Sequence, residues 1–287
     1  MYRAPVFSLP SGMSLLVASL NSGSNGNCYY IGNGDVAVLI DAGISSRETE
    51  KRMKQLGLSL KRVKGIFITH EHSDHIGGVA KLSKRHNIPV FITAATRLQG
   101  NLKLEDSLCH TFKPHETIAI DDLSVTAIPK KHDAVDPHSF VVSSATVRVG
   151  VFTDSGVACE NLISHFAQCH AAFLEANYDE DMLENGGYPY ALKNRIRGGH
   201  GHLSNKQALS VFLNHRPEYM SHLFLAHLSN NNNTPKKVRD LFDPVAGDTE
   251  IIIAPRNKET NLYHIRAAGN LPNRIRATKP HQLNLFA

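Results

Sequence analysis

The hexapeptide His70-Glu71-His72-Ser73-Asp74-His75 constrains this chain more than any other segment. It directly follows Val63 to Thr69, which reads as a strand, and precedes Gly77-Gly78 and a helix. Three imidazoles and a carboxylate in six residues make a poor apolar core, because each brings polar atoms that are costly to bury unpaired. They are the donors that borderline divalent ions such as zinc and manganese accept. A loop leaving a strand can aim alternate residues at one cation and the next pair at a second. His70 and His72 share one direction, Asp74 and His75 the other. A helical HExxH metalloprotease site is excluded, because the fourth residue after His70 is Asp74. The total of 17 histidines points the same way.

The rest of the composition sets bounds. With 287 residues, 41% of them hydrophobic, the chain can bury a substantial core, as one large α/β domain or two ordinary ones. A net charge of +5 permits contact with polyanions without demanding it. Cys28, Cys109, Cys159 and Cys169 show no CxxC spacing, and no secretory signal precedes them, so they read as reduced thiols in a cytoplasmic protein. Apolar runs such as Val36 to Ile40 fall far short of the roughly 20 residues that cross a bilayer, so no membrane span is expected.

Residues 1–12 read as an irregular lead-in, residues 13–270 as one large α/β domain, and residues 271–287 as a basic, proline-broken tail. Strands are expected near residues 14–20, 28–31, 36–40, 63–69, 90–93, 123–128, 139–143, 147–153, 172–176, 223–226 and 250–254. Helices are expected near 46–56, 78–86, 160–168, 205–214 and 235–241. Strands in both halves with interspersed helices fit a two-sheet core covered by helices better than a doubly wound parallel sheet. No internal sequence repeat is visible.

The HxHxDH pattern after a strand resembles the signature of the metallo-β-lactamase superfamily, which implies an α/β fold of αββα sandwich type, with two mixed sheets covered by helices on both outer faces. The resemblance extends to Asp41, at the end of an apolar run, as a carboxylate supporting the metal ligands. It extends further to His132, Asp154 and His227 as ligands. It implies two divalent metal ions per chain, Zn2+ or Mn2+: one held by His70, His72, His132 and Asp154, the other by Asp74, His75, Asp154 and His227. His138 rivals His132, and Asp133 or Asp136 could intrude. Ser22 to Cys28, His132-Asp133-Ala134, Glu175 to Asp179, Gly201 to Asn205 and His227-Leu228-Ser229 also resemble the YycJ/WalJ-like group, whose members are regarded as DNA exonucleases.

Two such cations would activate a shared water and neutralise charge on the attacking and leaving oxygens of an in-line displacement at phosphorus. Asp74 and Asp154 are therefore expected in the catalytic apparatus. His202, between Gly201 and the helix cap Ser204, is the expected proton donor or phosphate contact. Ser22, Ser24, Asn25, Asn27 and Ser204 are expected to contact substrate, the glycine- and serine-rich loop acting as a nest for phosphate. Lys130, Lys131, Lys193, Arg195 and Arg197 could follow a nucleic acid backbone. DNA is the expected substrate, the alternative being a small cyclic phosphate or thioester. Finally, Gln282, Leu283, Leu285 and Phe286 resemble the QLxLF peptide that docks on the DNA sliding clamp.

Overall fold

The computed structural model describes residues 14–267; the expected lead-in, the tail and the clamp-like residues Gln282, Leu283, Leu285 and Phe286 lie outside them. The chain opens with β1 (Ser14–Asn21), β2 (Cys28–Gly32) and β3 (Ala37–Ile40), then α1 (Ser46–Gln55), β4 (Val63–Phe67), α2 (Ser73–Ile76) and α3 (Val79–His86). β5 (Val90–Phe91), α4 (Ala94–Gln99), β6 (Cys109–His110), β7 (Thr117–Ile120), β8 (Leu123–Pro129), β9 (His138–Ser143), β10 (Arg148–Phe152), α5 (Glu160–Phe166) and β11 (Ala171–Glu175) follow. The order closes with α6 (Glu180–Asn185), α7 (Tyr190–Arg197), α8 (Asn205–His215), β12 (His222–Ala226), α9 (Pro235–Phe242), β13 (Glu250–Ile253) and β14 (Tyr263–Arg266).

Period-two patterning sorts these strands into two sheets whose central strands, such as β2, β3 and β11, are buried on both faces. In β2, Tyr29 and Ile31 face the space between the sheets, while Cys28 and Tyr30 face the outer layer. The first sheet runs β14-β1-β2-β3-β4-β5-β6 and the second β13-β12-β11-β10-β9-β8-β7. In each, three antiparallel junctions give way to three parallel ones. The inner faces interlock through rings such as Tyr29 on Phe173, with centroids 4.7 Å apart, and Phe67 edge-on to Phe140. Outside, Met53 of α1 and Val79 and Leu82 of α3 pack on the first sheet. Leu162 and Phe166 of α5, Phe212 of α8 and Phe242 of α9 pack on the second. The result is the expected αββα sandwich.

Helix starts follow local chemistry. Ser45 accepts the Glu48 N–H ahead of α1. Ser204 and Gln207 form a reciprocal capping box on α8, and Thr234 caps α9 with Pro235 in its first turn. Gly57, at φ 70°, ends α1 in the left-handed conformation that glycine tolerates. No helix among the described residues is long and apolar enough to cross a membrane.

Candidate metal centre

Parallel strands that end together place their trailing loops together, and here that edge belongs to both sheets. From the first sheet, β3 delivers Asp41 and β4 delivers His70 to His75; from the second, β8 leads to His132, β10 to Asp154, β11 to Glu175 and β12 to His227. Asp41, Asp154 and His227 sit at φ 58°, 54° and 57°. Left-handed backbone at a non-glycine residue costs on the order of 1 kcal/mol or more, so three instances in one cluster mark a site held by its surroundings.

Ligand atoms of His70, His72 and His132 lie within 4.8 Å of one another, as do those of Asp74, His75 and His227. Asp154 forms a third such group with His70 and His75 and so stands between the other two. All seven expected ligand residues therefore converge. Each buried imidazole has its Nδ1 engaged: His70 with Thr69 Oγ1 at 2.9 Å, His75 with Asp41 Oδ2 at 2.7 Å, His132 with Gly201 O at 3.0 Å, and His227 with Glu175 Oε1 at 3.1 Å. Where the partner is an acceptor, this fixes the proton on Nδ1 and turns the Nε2 lone pair into the cluster. Asp41 is wholly buried and also accepts the Thr69 N–H at 2.8 Å.

The donor set fits a cation. His132 Nε2, His227 Nε2 and Asp154 Oδ2 are buried without a hydrogen bond, and such atoms are costly to bury unless something else satisfies them. His70 Nε2 and His72 Nδ1 are 3.0 Å apart, closer than twice a ~2.0–2.1 Å zinc–nitrogen bond, so one ion can touch both. Burial, aided by Lys130, pushes the His132 imidazole down to about 4. Burial also drives His70 well below its usual value, with His75 and Lys130 adding to the effect. These rings are neutral donors. Burial opposes charge on His227 as well, but Asp154, Asp74 and Glu175 raise it to about 10. The carboxylates thus attract positive charge, which a cation supplies as well as a proton does.

His202 lines the cleft beside the cluster, its Nδ1 2.7 Å from Glu175 Oε1. His138, the rival to His132, bonds the Asp136 carbonyl, packs edge-on to Phe112 and belongs to none of the ligand groups. Asp133 lines the cleft, its Oδ1 3.3 Å from His132 Nε2 and its Oδ2 held by Arg195 at 2.5 Å. Asp136 lies 3.9 Å from His138.

Several expected substrate contacts have other positions. Of Ser22, Ser24, Asn25 and Asn27, only Ser24 lines the cleft. Ser22 is buried and accepts the His227 N–H at 2.8 Å. Asn27 is buried against Asp74 and His75, and Asn25 bonds the Arg256 carbonyl. Ser204 is buried as a helix cap and donates to Glu180. The loop therefore supports the cluster from beneath, because its polar side chains satisfy backbone and ligand groups there. Lys130 is also buried, donating to Thr153 O at 2.7 Å, and cannot reach a polyanion. Lys193 bonds the Glu184 carbonyl, and Arg197 pairs with Glu184.

Two residues carry weight that the sequence reading did not assign. Glu175 is fully buried, bonding His202 and His227 through one oxygen and the Ser155 and Leu203 N–H groups through the other. Burial opposes its ionisation, yet His202 and His227 hold it down to about 2. Arg256 lines the cleft from the loop after β13. The only signal for it was a cation just past a strand's carboxyl end, where the other site residues cluster. The cleft encloses about 380 Å³.

Comparison with known proteins agrees with this geometry. The metallo-β-lactamase superfamily profile matches residues 22–192. Exodeoxyribonuclease YycJ of Bacillus anthracis is 32% identical over 232 residues, covering 79% of this chain and 87% of that protein. Exodeoxyribonuclease WalJ of Streptococcus pneumoniae serotype 2 is 29% identical over 219 residues, 75% and 81% of the two chains. The solved structure of Zn(2+)-bound PqqB from Methylobacterium extorquens superposes with a TM-score of 0.65 at 14% identity, over 86% of this chain and 99% of that one. At that identity the likeness is one of fold.

Proposed function

The chain belongs to the metallo-β-lactamase superfamily, in its YycJ/WalJ-like group of metal-dependent hydrolases, and on that premise we propose that it is an exonuclease cleaving phosphodiesters of DNA with two divalent cations, Zn2+ or Mn2+. The observation that carries this reading is the convergence, from both sheets, of imidazole and carboxylate atoms buried without hydrogen-bond partners at the floor of an open cleft. His70, His72, His132 and Asp154 would hold one cation and Asp74, His75, Asp154 and His227 the other. Bound cations supply a water of lowered pKa and neutralise charge developing on phosphoryl oxygens. The unit responsible is residues 13–270.

The protein's own groups do the remainder. Asp41 and Glu175 hold the imidazoles with Nε2 presented, so the cluster is ordered before substrate arrives. In its imidazolium form, with Nδ1–H donating to the Glu175 carboxylate, His202 has an Nε2–H to give to the departing oxygen, which leaves a neutral ring, or to donate to the phosphoryl group. Both named relatives are exodeoxyribonucleases, and that favours DNA over a small cyclic phosphate or a thioester.

The test is incubation of the Mn2+-loaded protein with end-labelled duplex DNA and, separately, with bis(p-nitrophenyl) phosphate, beside the double variant His72→Ala, Asp74→Ala. Wild type should shorten DNA and the variant should lose at least about a thousandfold, the scale of several kcal/mol of transition-state stabilisation. If wild type hydrolyses the small diester and leaves DNA intact, the nuclease reading falls and the small-molecule reading replaces it.

A further inference from the structure

The cleft does not stop at the imidazole cluster. Leu228, Ser229 and Arg256 line both it and an adjoining concavity of about 160 Å³ near the amino end of α9. Arg256 therefore stands where one passes into the other. Its guanidinium is fixed in place: Nη1 donates to Leu228 O at 3.0 Å and Nη2 to Ser24 Oγ at 3.3 Å. It lies so close over Gly23 that a Cβ there would fall 2.6 Å from Nη1, and Gly23 has φ 136°. A glycine at 23 thus lets the guanidinium rest on the β1–β2 loop.

Its charge is not paired with a carboxylate, as that of several other arginines is. Arg195, Arg197 and Arg239 face carboxylates, whereas the side chains of Arg256, Arg148 and Arg216 bond neutral oxygens, and of these three Arg256 lines the cleft. A guanidinium has five N–H donors, so most of its capacity is directed elsewhere. A planar, pre-positioned cation of this kind matches two oxygens of a phosphate group. Holding it rigid also lowers the entropy lost on binding.

Resting on the reading that the substrate is a polynucleotide, we propose that Arg256 and Ser24 form a second phosphate subsite, which grips the backbone phosphate next to the scissile one as the strand passes from the cleft into the adjoining concavity. The ligand is a nucleic acid backbone carrying at least two phosphates. A diester with one phosphate engages the metal-binding cluster alone.

Steady-state kinetics of wild type, Arg256→Gln, Arg256→Lys and Ser24→Ala test this on DNA and on bis(p-nitrophenyl) phosphate, using the same Mn2+-loaded preparations. The ratio of kcat/KM for DNA to kcat/KM for the small diester should fall about 10–100-fold in Arg256→Gln, chiefly through KM on DNA. Ser24→Ala should lower it by roughly 2–10-fold, and Arg256→Lys should recover part of the loss. The slope of log kcat/KM for DNA against log salt should shrink in magnitude by about 1 in Arg256→Gln. Taking a ratio on one preparation cancels any shared loss of folded protein. Equal losses on both substrates, or an unchanged salt slope, would overturn the subsite while leaving the nuclease reading intact. Wild type that cleaves the small diester but not DNA removes both.

Discussion

Glu175 is a fully buried carboxylate with two imidazoles and two backbone N–H groups around it. Its oxygen orients both rings, so Glu175→Gln exchanges an acceptor for an amide that can donate to Nδ1 and drive the imidazole proton onto Nε2. That removes the lone pair facing the cluster. The variant should bind Mn2+ or Zn2+ about 10–100-fold more weakly in a chelator competition. It should also lose about 1.5–3 kcal/mol of stability through its charge-assisted bonds. Unaltered metal affinity would show that the carboxylate only supports the loops. At this scale the candidate ligands were far more legible than their supports. His70 to His75 declare themselves by density, because few other arrangements explain so many imidazoles together. Glu175 reads as an ordinary strand end, since its burial arises from β10 and β12 flanking β11, which no local pattern records. Ser22 and Asn27 misled for the mirror reason: polar side chains in a glycine-rich loop look solvent-facing, but here they satisfy buried neighbours.

Among elements, three loops are sewn into one support. Asn27 N–H donates to Asp74 O at 2.7 Å, Gly43 N–H to Asn27 O at 2.8 Å, Ala42 N–H to His75 O at 3.0 Å, and Gly78 N–H to Ala42 O at 2.8 Å. A Cβ on Gly43 would lie 1.6 Å from Asp74 O, and one on Gly78 2.0 Å from Ile44 O. Both obstacles are backbone and cannot rotate away. Gly43→Ala should therefore push the Asp74 turn off the β3–α1 loop, costing about 3 kcal/mol in denaturant unfolding and lowering metal occupancy with it. Full occupancy at wild-type stability would mean that the loops are not the ruler of the cluster. Longer elements were readable from hydrophobic period, and their observed ends fall within a few residues of expectation. α2 was not: it is a single turn of Ser73-Asp74-His75-Ile76, too short to show a period. α6 and α7 are short helices on either side of the Gly186-Gly187 and Pro189 breaks, and α7 buries no residue, so it lacks the apolar stripe by which a helix is recognised. β14 pairs with β1 across the whole length of the domain, a closure that residues 263–266 do not announce alone.

At the level of the whole molecule, the two sheets repeat one plan, three antiparallel junctions followed by three parallel ones, without a visible sequence repeat. β3 and β10 occupy equivalent places in that plan, and each is followed by an aspartate in left-handed conformation, Asp41 and Asp154. One supports His75 and the other stands between the two candidate ligand groups. The centre thus draws on both halves, with His70, His72, Asp74 and His75 from one and His132, Asp154 and His227 from the other. A cation bound there ties the sheets together in the folded state and has no equivalent site in the unfolded chain. Ligand linkage then predicts the size of the effect: at a thousand times its dissociation constant, a bound ion adds about 4 kcal/mol. For a domain of this size each kcal/mol moves the midpoint about 2–4 °C, so stripping metal with a chelator should lower Tm by roughly 8–16 °C, and Mn2+ or Zn2+ should restore it. The His72→Ala, Asp74→Ala variant, which removes one candidate ligand from each group, should show little of this response. A wild-type Tm indifferent to chelator and to added metal would mean that the imidazoles and carboxylates of the two halves meet without a cation between them.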